Sequence, residues 1–139
     1  MKLATVKEVV NQAALEIGTA QVPLDRIYGS SDQDVVQMAA LLNAVADEIL
    51  LEEPYRTTIG DQAWAQDADG NPLIVPTQDT DLVLFDRRLA IDGIKYQFLA
   101  AKGLEFGEQL RAFTVRLNKI AGRVNGKILD LDDPEDREL

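Results

Sequence analysis

The sequence predicts a mainly α protein, with a four-helix bundle-like body, a small β-hairpin or long loop between helices two and three, and an extended C-terminal arm. Apolar residues recur at spacings of three and four in four segments, a turn-rich stretch follows the second of them, and the last residues are highly charged. The chain has 139 residues, 46% of them apolar and 27% charged, which suits one folded core. We expect a helical domain over residues 1–123, with its insertion at about 55–76, and an arm over 124–139.

The first helix has a marked start and end. Thr5 and Glu8 fit a capping box, in which each side chain accepts the other residue's backbone N–H. Gly18 suits the left-handed position just past the helix end. The apolar stripe between them comprises Val6, Val9, Val10, Ala13, Ala14 and Ile17.

The second helix is predicted from about Asp32 to Glu52 and is apolar on nearly all sides. Such a helix is buried on nearly all sides. We infer that another chain covers part of it, although the other helices and the middle segment of the same chain could do so instead.

The insertion follows Pro54, with β-branched residues at 56–59 and an apolar run at 73–75. Asp67, Asp69 and Asn71 lie in the turn-forming cluster between these runs. They alternate as at the start of a calcium loop, but the later ligands are missing. Turn chemistry is therefore favoured, and because a lone hairpin is marginal in water it should pack on the body.

The third helix is predicted to begin after Pro76, capped by Thr77, Asp79 or Thr80, and to end at Gly103. Its interior Gly93 costs about 1 kcal/mol relative to alanine, which a close helix approach would explain.

The fourth helix carries a seam for helix packing, and we expect Gly122 to end it. The seam, at spacings of four and three, comprises Phe106, Leu110, Phe113, Leu117 and Ile120. The basic face outside it comprises Arg111, Arg116, Lys119 and Arg123.

Charge is segregated along the chain, whose net formal charge is -10. Residues 1–86 hold 15 acids and 4 bases, residues 87–127 hold 3 acids and 9 bases, and residues 128–139 hold 6 acids and 1 base. Copies of the chain could therefore associate with oppositely charged surfaces facing each other. Such charge complementarity determines the register of the association more than its affinity. The alternative is solvated helix faces without a partner.

Two segments have open interpretations. The basic run 111–127 could face phosphates, particularly around a channel made by a ring of copies, or an acidic patch on a protein. The net acidity argues against free DNA as the main ligand. The arm, whose candidate contact residues are Val124, Lys127, Ile128, Leu129 and Leu131, is expected to dock on a neighbour, the alternative being an unstructured terminus.

Cysteine and histidine are both absent, which excludes disulfides, thiolate or imidazole zinc sites and histidine-based catalysis. No phosphate loop, dinucleotide motif or nucleophile elbow is present. A hydrolase built on two carboxylates stays open as a third class, because acidic residues are abundant, but neither Glu8 with Glu16 nor Glu52 with Glu53 shows a buried acid beside a charged partner. We therefore expect no catalytic, cofactor or metal site, and no enzyme. The N-terminus lacks the apolar segment of a signal peptide and no run is long enough to cross a bilayer, so we expect a protein that is cytosolic when made.

Four segments together resemble the head-to-tail adaptor proteins of tailed bacteriophages. Residues 5–18 form a capped helix ending in Leu15-Glu16-Ile17-Gly18, and residues 30–43 pass from a polar cap into an apolar run. An aromatic segment runs from Trp64 to Pro76, and residues 89–104 contain Gly93-Ile94-Lys95 and end in Lys102-Gly103-Leu104. The resemblance covers most of residues 5–121.

This resemblance implies a structural protein of the virion neck, assembled in the host cytoplasm as a ring of about twelve copies under the portal protein. Such a ring extends the DNA channel, offers an attachment surface to tail or neck proteins and helps to retain the genome, without sequence-specific DNA contacts and without a membrane. The C-terminal arm would reach the portal or a neighbouring subunit. The alternative function is a helical regulatory or DNA-associated module that uses the basic face.

Overall fold

The computed structural model describes residues 3–18, 26–51 and 63–124, with side chains described as far as residue 120. The helices in these residues are α1 (Val6–Ile17), α2 (Gln33–Leu50), α3 (Arg87–Ala101) and α4 (Gly107–Val124). The strands are β1 (Ala4–Thr5), β2 (Ala65–Gln66), β3 (Pro72–Leu73) and β4 (Leu82–Val83). The mainly α prediction, with a hairpin between the second and third helices, is confirmed. The C-terminal arm beyond residue 124 lies outside the described residues.

The ends of α1 are those predicted from the sequence. The Glu8 backbone N–H donates to the Thr5 hydroxyl at 3.1 Å, and the Thr5 N–H donates to the Glu8 carboxylate at 2.9 Å. Gly18 follows the helix with φ +78° and donates its N–H to the Ala14 carbonyl. The capping box and the left-handed glycine therefore fix both ends of α1 by local interactions.

The strands form one small antiparallel sheet in the order β1-β4-β2-β3. The β2–β3 hairpin turns at Asp67, whose carboxylate accepts the N–H groups of Asp69 and Asn71, each at 2.9 Å. Asp67 therefore acts as a turn acceptor. The hairpin is anchored to the helical body by β4 and by a ring stack of Trp64 on Phe85, with centroids 5.7 Å apart.

The predicted start of the third helix is wrong. Residues 82–83 form β4, and α3 begins at Arg87 with the Asp86 carboxylate accepting the Leu89 N–H at 3.0 Å. The cause lies at Asp81, a buried residue whose carboxylate accepts the N–H groups of Thr77 and Gln78 and so closes a turn. This turn directs the following residues into the sheet, where β4 pairs with β1 and β2.

Helices α2, α3 and α4 meet at Gly93. A Cβ atom at this position would lie 2.5 Å from Val45 Cγ1 of α2 and 3.0 Å from Phe113 Cε1 of α4. The expected close helix approach at Gly93 is therefore present. Helix α4 continues through Gly122 to Val124, so the prediction that Gly122 ends it is wrong. One glycine lowers helix propensity by only about 1 kcal/mol, which is too little to end a helix by itself.

Candidate functional site

The predicted seam of α4 attaches this helix to the body. Phe113, Leu117 and Ile120 are buried in the core, and the half-buried Phe106 and Leu110 begin the same stripe. The ring of Tyr96 on α3 lies 5.3 Å from that of Phe113 and 6.4 Å from that of Phe106, between centroids. The opposite side of α4 is therefore left to the solvent.

A groove with a volume of about 520 Å³ runs along this outer side of α4. We call it the α4 groove. Its lining residues are Asp92, Glu108, Arg111, Ala112, Val115, Arg116 and Lys119. The groove thus combines three cationic side chains with a small apolar patch, and it brings together three of the four predicted basic-face residues.

The three cations of the α4 groove differ in how they are paired. Arg116 lies 3.8 Å from the Asp86 carboxylate and 4.0 Å from that of Asp92. Arg111 and Lys119 form no ion pair within the part of the chain that the structure describes. Arg111 is exposed and Lys119 half-buried, so these two charges remain available to a partner.

Beneath the groove, an ion-pair network connects α1, α3 and α4. Asp92 is only 7% exposed. Its carboxylate also forms an ion pair, at 3.3 Å, with the guanidinium of Arg88, one turn earlier on α3. Arg88 in turn lies 2.6 Å from Glu16 of α1, which Lys95 contacts at 2.8 Å. The network fixes the three helices relative to one another below the exposed charges.

Glu16 is the most strongly shifted acid in this network. Burial opposes its ionisation, but hydrogen bonds from Arg88, Lys95 and Gln12 outweigh that effect and lower its pKa to about 2. The Arg88 guanidinium, held by the same hydrogen bond, has its pKa raised. The pair is therefore ionised at neutral pH and serves to join α1 to α3.

A second polar contact joins α2 to α3 near the groove. The Tyr96 hydroxyl donates to the Glu48 carboxylate, 2.7 Å from Oε1, and burial together with this carboxylate raises the pKa of Tyr96. Because Tyr96 also packs on Phe113, one side chain connects α2, α3 and α4. These contacts hold α4 on the body from the side opposite the α4 groove.

The remaining predicted contact residues are only partly described. The structure describes the backbone of Arg123 and Val124 at the end of α4, without their side chains. Lys127, Ile128, Leu129 and Leu131 lie outside the described residues. The basic-face prediction therefore has a described location in the α4 groove, whereas the arm prediction stays a prediction.

Sequence reasoning missed the acids that pair with the basic face. Asp86 and Asp92, at the cap and in the first turns of α3, contact Arg116 of this face. Glu16 of α1 pairs instead with Arg88 and Lys95 of α3. Only the spacing of Arg88 and Asp92, four residues apart on one helix, gave a local signal. The partners 72 and 79 residues away in the chain gave none.

Much of helix α2 is covered by the described part of its own chain, and the prediction that another chain covers part of it stays a prediction. Its residues buried in the core are Val35, Met38, Ala39, Leu42, Val45, Ala46, Ile49 and Leu50. Val36 remains 46% exposed, and Leu51, just past the helix, is 74% exposed. These exposed apolar side chains, together with exposed Ala40 and Asp47, are left for another chain to cover.

Metal-binding clusters and membrane-spanning helices are both absent from the described residues. No cluster of three or more potential metal-binding side chains occurs among them. None of the described helices combines the length and the apolar character that a membrane span requires.

Comparison with known proteins gives no relatives: no family model, curated protein or solved structure matches this chain. The fold and the α4 groove define the chain as a mainly α protein with a small antiparallel sheet and a partly unpaired basic helix face.

Proposed function

We propose that this chain is a structural head-to-tail adaptor of a tailed bacteriophage. It assembles as a ring under the portal protein, extends the DNA channel, provides an attachment surface for tail or neck proteins and helps to retain packaged DNA. The observation that carries the proposal is the α4 groove, where Arg111 and Lys119 are left without an ion partner in the described residues of a chain of net charge -10. Together with the sequence resemblance, it favours an assembly of charge-complementary surfaces.

The body is suited to a structural role because its helices are connected through side chains rather than through a mobile hinge. The network from Glu16 to Arg116 joins α1, α3 and α4, and Tyr96 joins α2 to α3. A subunit that bears load in a channel has to keep its shape while its surfaces bind neighbours. Arg111 and Lys119, which have no ion partner in the described residues, extend from a helix that this body supports.

The alternative, a DNA-associated module, uses the same groove. Arg111 and Lys119 could contact phosphates. However, the α4 groove also contains the carboxylates of Glu108 and Asp92, and these negative groups repel phosphates. Its apolar residues, Ala112 and Val115, suit a protein surface better than a phosphate backbone. The groove therefore favours a protein partner.

The test is co-sedimentation with the portal protein of the same genome, in parallel with a DNA titration at about 0.15 M salt. We expect wild-type protein to sediment with the portal and to bind DNA weakly. Arg111→Glu should lower the amount of protein that assembles on the portal about 10-fold, because it removes a cation of the α4 groove that a protein partner in the assembly would meet. Arg87→Glu is the matched control, since Arg87 is an exposed arginine outside the α4 groove and the charge change is the same.

Tight DNA binding that Arg111→Glu abolishes, without any binding to the portal, would overturn the adaptor proposal in favour of the DNA-associated module. Equal losses for Arg111→Glu and Arg87→Glu would show an effect of net charge alone, and would remove the α4 groove as the support for the proposal.

A further inference from the structure

The outer face of α2 is chemically opposite to that of α4. Helix α2 contains no lysine or arginine, and Asp47 on its exposed side forms no ion pair within the described residues. Leu51, four residues later, is 74% exposed. Residues four apart lie on one side of a helix, about one turn from each other. The C-terminal end of α2 therefore presents one acid beside one uncovered apolar side chain.

The α4 groove presents the matching pair at the same spacing. Val115 is 46% exposed, and Lys119 follows it by four residues. A charge and an apolar group separated by about 6 Å thus occur on both helices, with opposite signs of charge. When the two helices run antiparallel, an acid–base contact and an apolar contact form together.

We infer that α2 of one copy binds the α4 groove of the next, with Asp47 opposite Lys119 and Leu51 opposite Val115. The contact is between copies, because Leu51 and Val115 are both exposed to solvent within a single copy. This contact would join neighbouring subunits of the ring, so the inference rests on the proposed function. Because the two faces differ, the contact is head-to-tail, and an interface of this kind makes a ring when the rotation between copies closes.

The two parts of the contact have different effects. Covering Leu51 and Val115 removes apolar area from water and supplies most of the affinity. The Asp47–Lys119 pair lies at the edge and selects the antiparallel register, as rim charges do. The ion-pair network under the α4 groove already pairs Asp92 with Arg88 and Arg116, so Lys119, like Arg111, has no ion partner in the described residues. Of the two, Lys119 lies four residues after Val115, at the spacing that Asp47 and Leu51 have on α2.

Cross-linking tests the contact directly, because the native chain has no cysteine. Full-length Leu51→Cys and Val115→Cys proteins are mixed at high concentration with a short bis-maleimide. We expect the mixed dimer at a yield at least about five times that of the control mixture, in which Ala68→Cys replaces Leu51→Cys. Ala68 is an exposed position at the hairpin turn, outside the proposed contact. Equal yields from the two mixtures would overturn the inference.

The second test exchanges the charges of Asp47 and Lys119 and measures how much protein assembles on the portal. Asp47→Lys and Lys119→Glu should each lower assembly about 10-fold, and the double variant should return to within about threefold of wild type. Circular dichroism of each variant confirms that the helices are retained. No loss in the single variants, or losses that the double variant does not restore, would overturn the Asp47–Lys119 pairing. In the unrestored case Lys119 meets the portal or DNA instead.

The two tests separate this inference from the proposed function. Wild-type protein that never binds the portal overturns the adaptor function, while the cross-link in solution still decides the contact between α2 and α4. Assembly of the wild-type protein on the portal, combined with no excess of mixed dimer from the Leu51→Cys and Val115→Cys variants, supports the adaptor function and refutes the contact.

Discussion

Gly93→Ala tests the helix packing on which the rigid body depends. A new Cβ at this position would meet Val45 Cγ1 at 2.5 Å, Val45 Cγ2 at 2.9 Å and Phe113 Cε1 at 3.0 Å. Overpacking of this kind costs up to about 3 kcal/mol, whereas replacing glycine by alanine inside a helix gains about 1 kcal/mol. We expect a net loss of about 2 kcal/mol in the free energy of unfolding, or about 7 °C in Tm for a chain of this length.

Urea unfolding followed by circular dichroism measures this change. Gly107→Ala is the matched control, because Gly107 begins α4 and its added Cβ would lie 3.4 Å from the nearest atom, the Glu105 Oε1. We expect the control to be neutral or stabilising by up to about 1 kcal/mol.

A double-mutant cycle identifies the source of the effect. Adding Val45→Ala to Gly93→Ala removes the two methyl groups that the new Cβ meets, so the double variant should be more stable than the sum of the single changes by about 1 kcal/mol or more. A Gly93→Ala protein as stable as wild type, or strict additivity with Val45→Ala, would refute the close approach of α2 and α3 at this point.

Three further predictions concern polar contacts. Glu16→Gln should lower the free energy of unfolding by about 1 kcal/mol at pH 7 after solvent screening. Because folding lowers the Glu16 pKa from 4.5 to about 2, this stability is complete above about pH 5 and is lost as the pH falls towards 2. The free energies of unfolding in urea of the two proteins should therefore converge near pH 2, and a difference that does not depend on pH would contradict this. Tyr96→Phe should cost about 1–2 kcal/mol in thermal unfolding, because Glu48 loses the hydroxyl donor, and a neutral change would count against that hydrogen bond. Asp79→Ala should cost about 2 kcal/mol, since its carboxylate accepts two backbone N–H groups at 2.9 Å in the segment before α2; unchanged amide exchange in that segment would refute this role.

Local signals in the sequence were sufficient for much of the fold. The capping box at Thr5, the left-handed Gly18 and the seam residue Phe113 depend on neighbours within a few positions, and all three are present in the structure. The tight environment of Gly93 was also expected, because an interior glycine in a helix calls for a packing reason.

The start of α3 depended on contacts that no local pattern reveals. Leu82 and Val83 fit the apolar spacing of a helix as well as that of a strand. In the structure they pair with β1, near the start of the described chain, and with β2. The carboxylate of Asp81 fixes this choice by closing the preceding turn. Non-local pairing therefore decided between strand and helix in a segment where propensity was neutral.

The candidate site was predictable only in part. The basic stripe of α4 could be identified from spacing, and Arg111 and Lys119 of that stripe both line the α4 groove. The sequence did not reveal that Arg116 faces Asp86 and Asp92, because these acids reach it through the packing of α3 on α4. Which cations remain free for a partner could therefore be determined only from the structure.

Electron cryomicroscopy of the purified protein bound to the portal protein tests the adaptor account most directly. The account predicts a closed ring of copies, coaxial with the portal around an open channel, with α2 of each subunit against the α4 groove of the next. Absence of any ring density on the portal, while single copies decorate added DNA through Arg111 and Lys119, would contradict it.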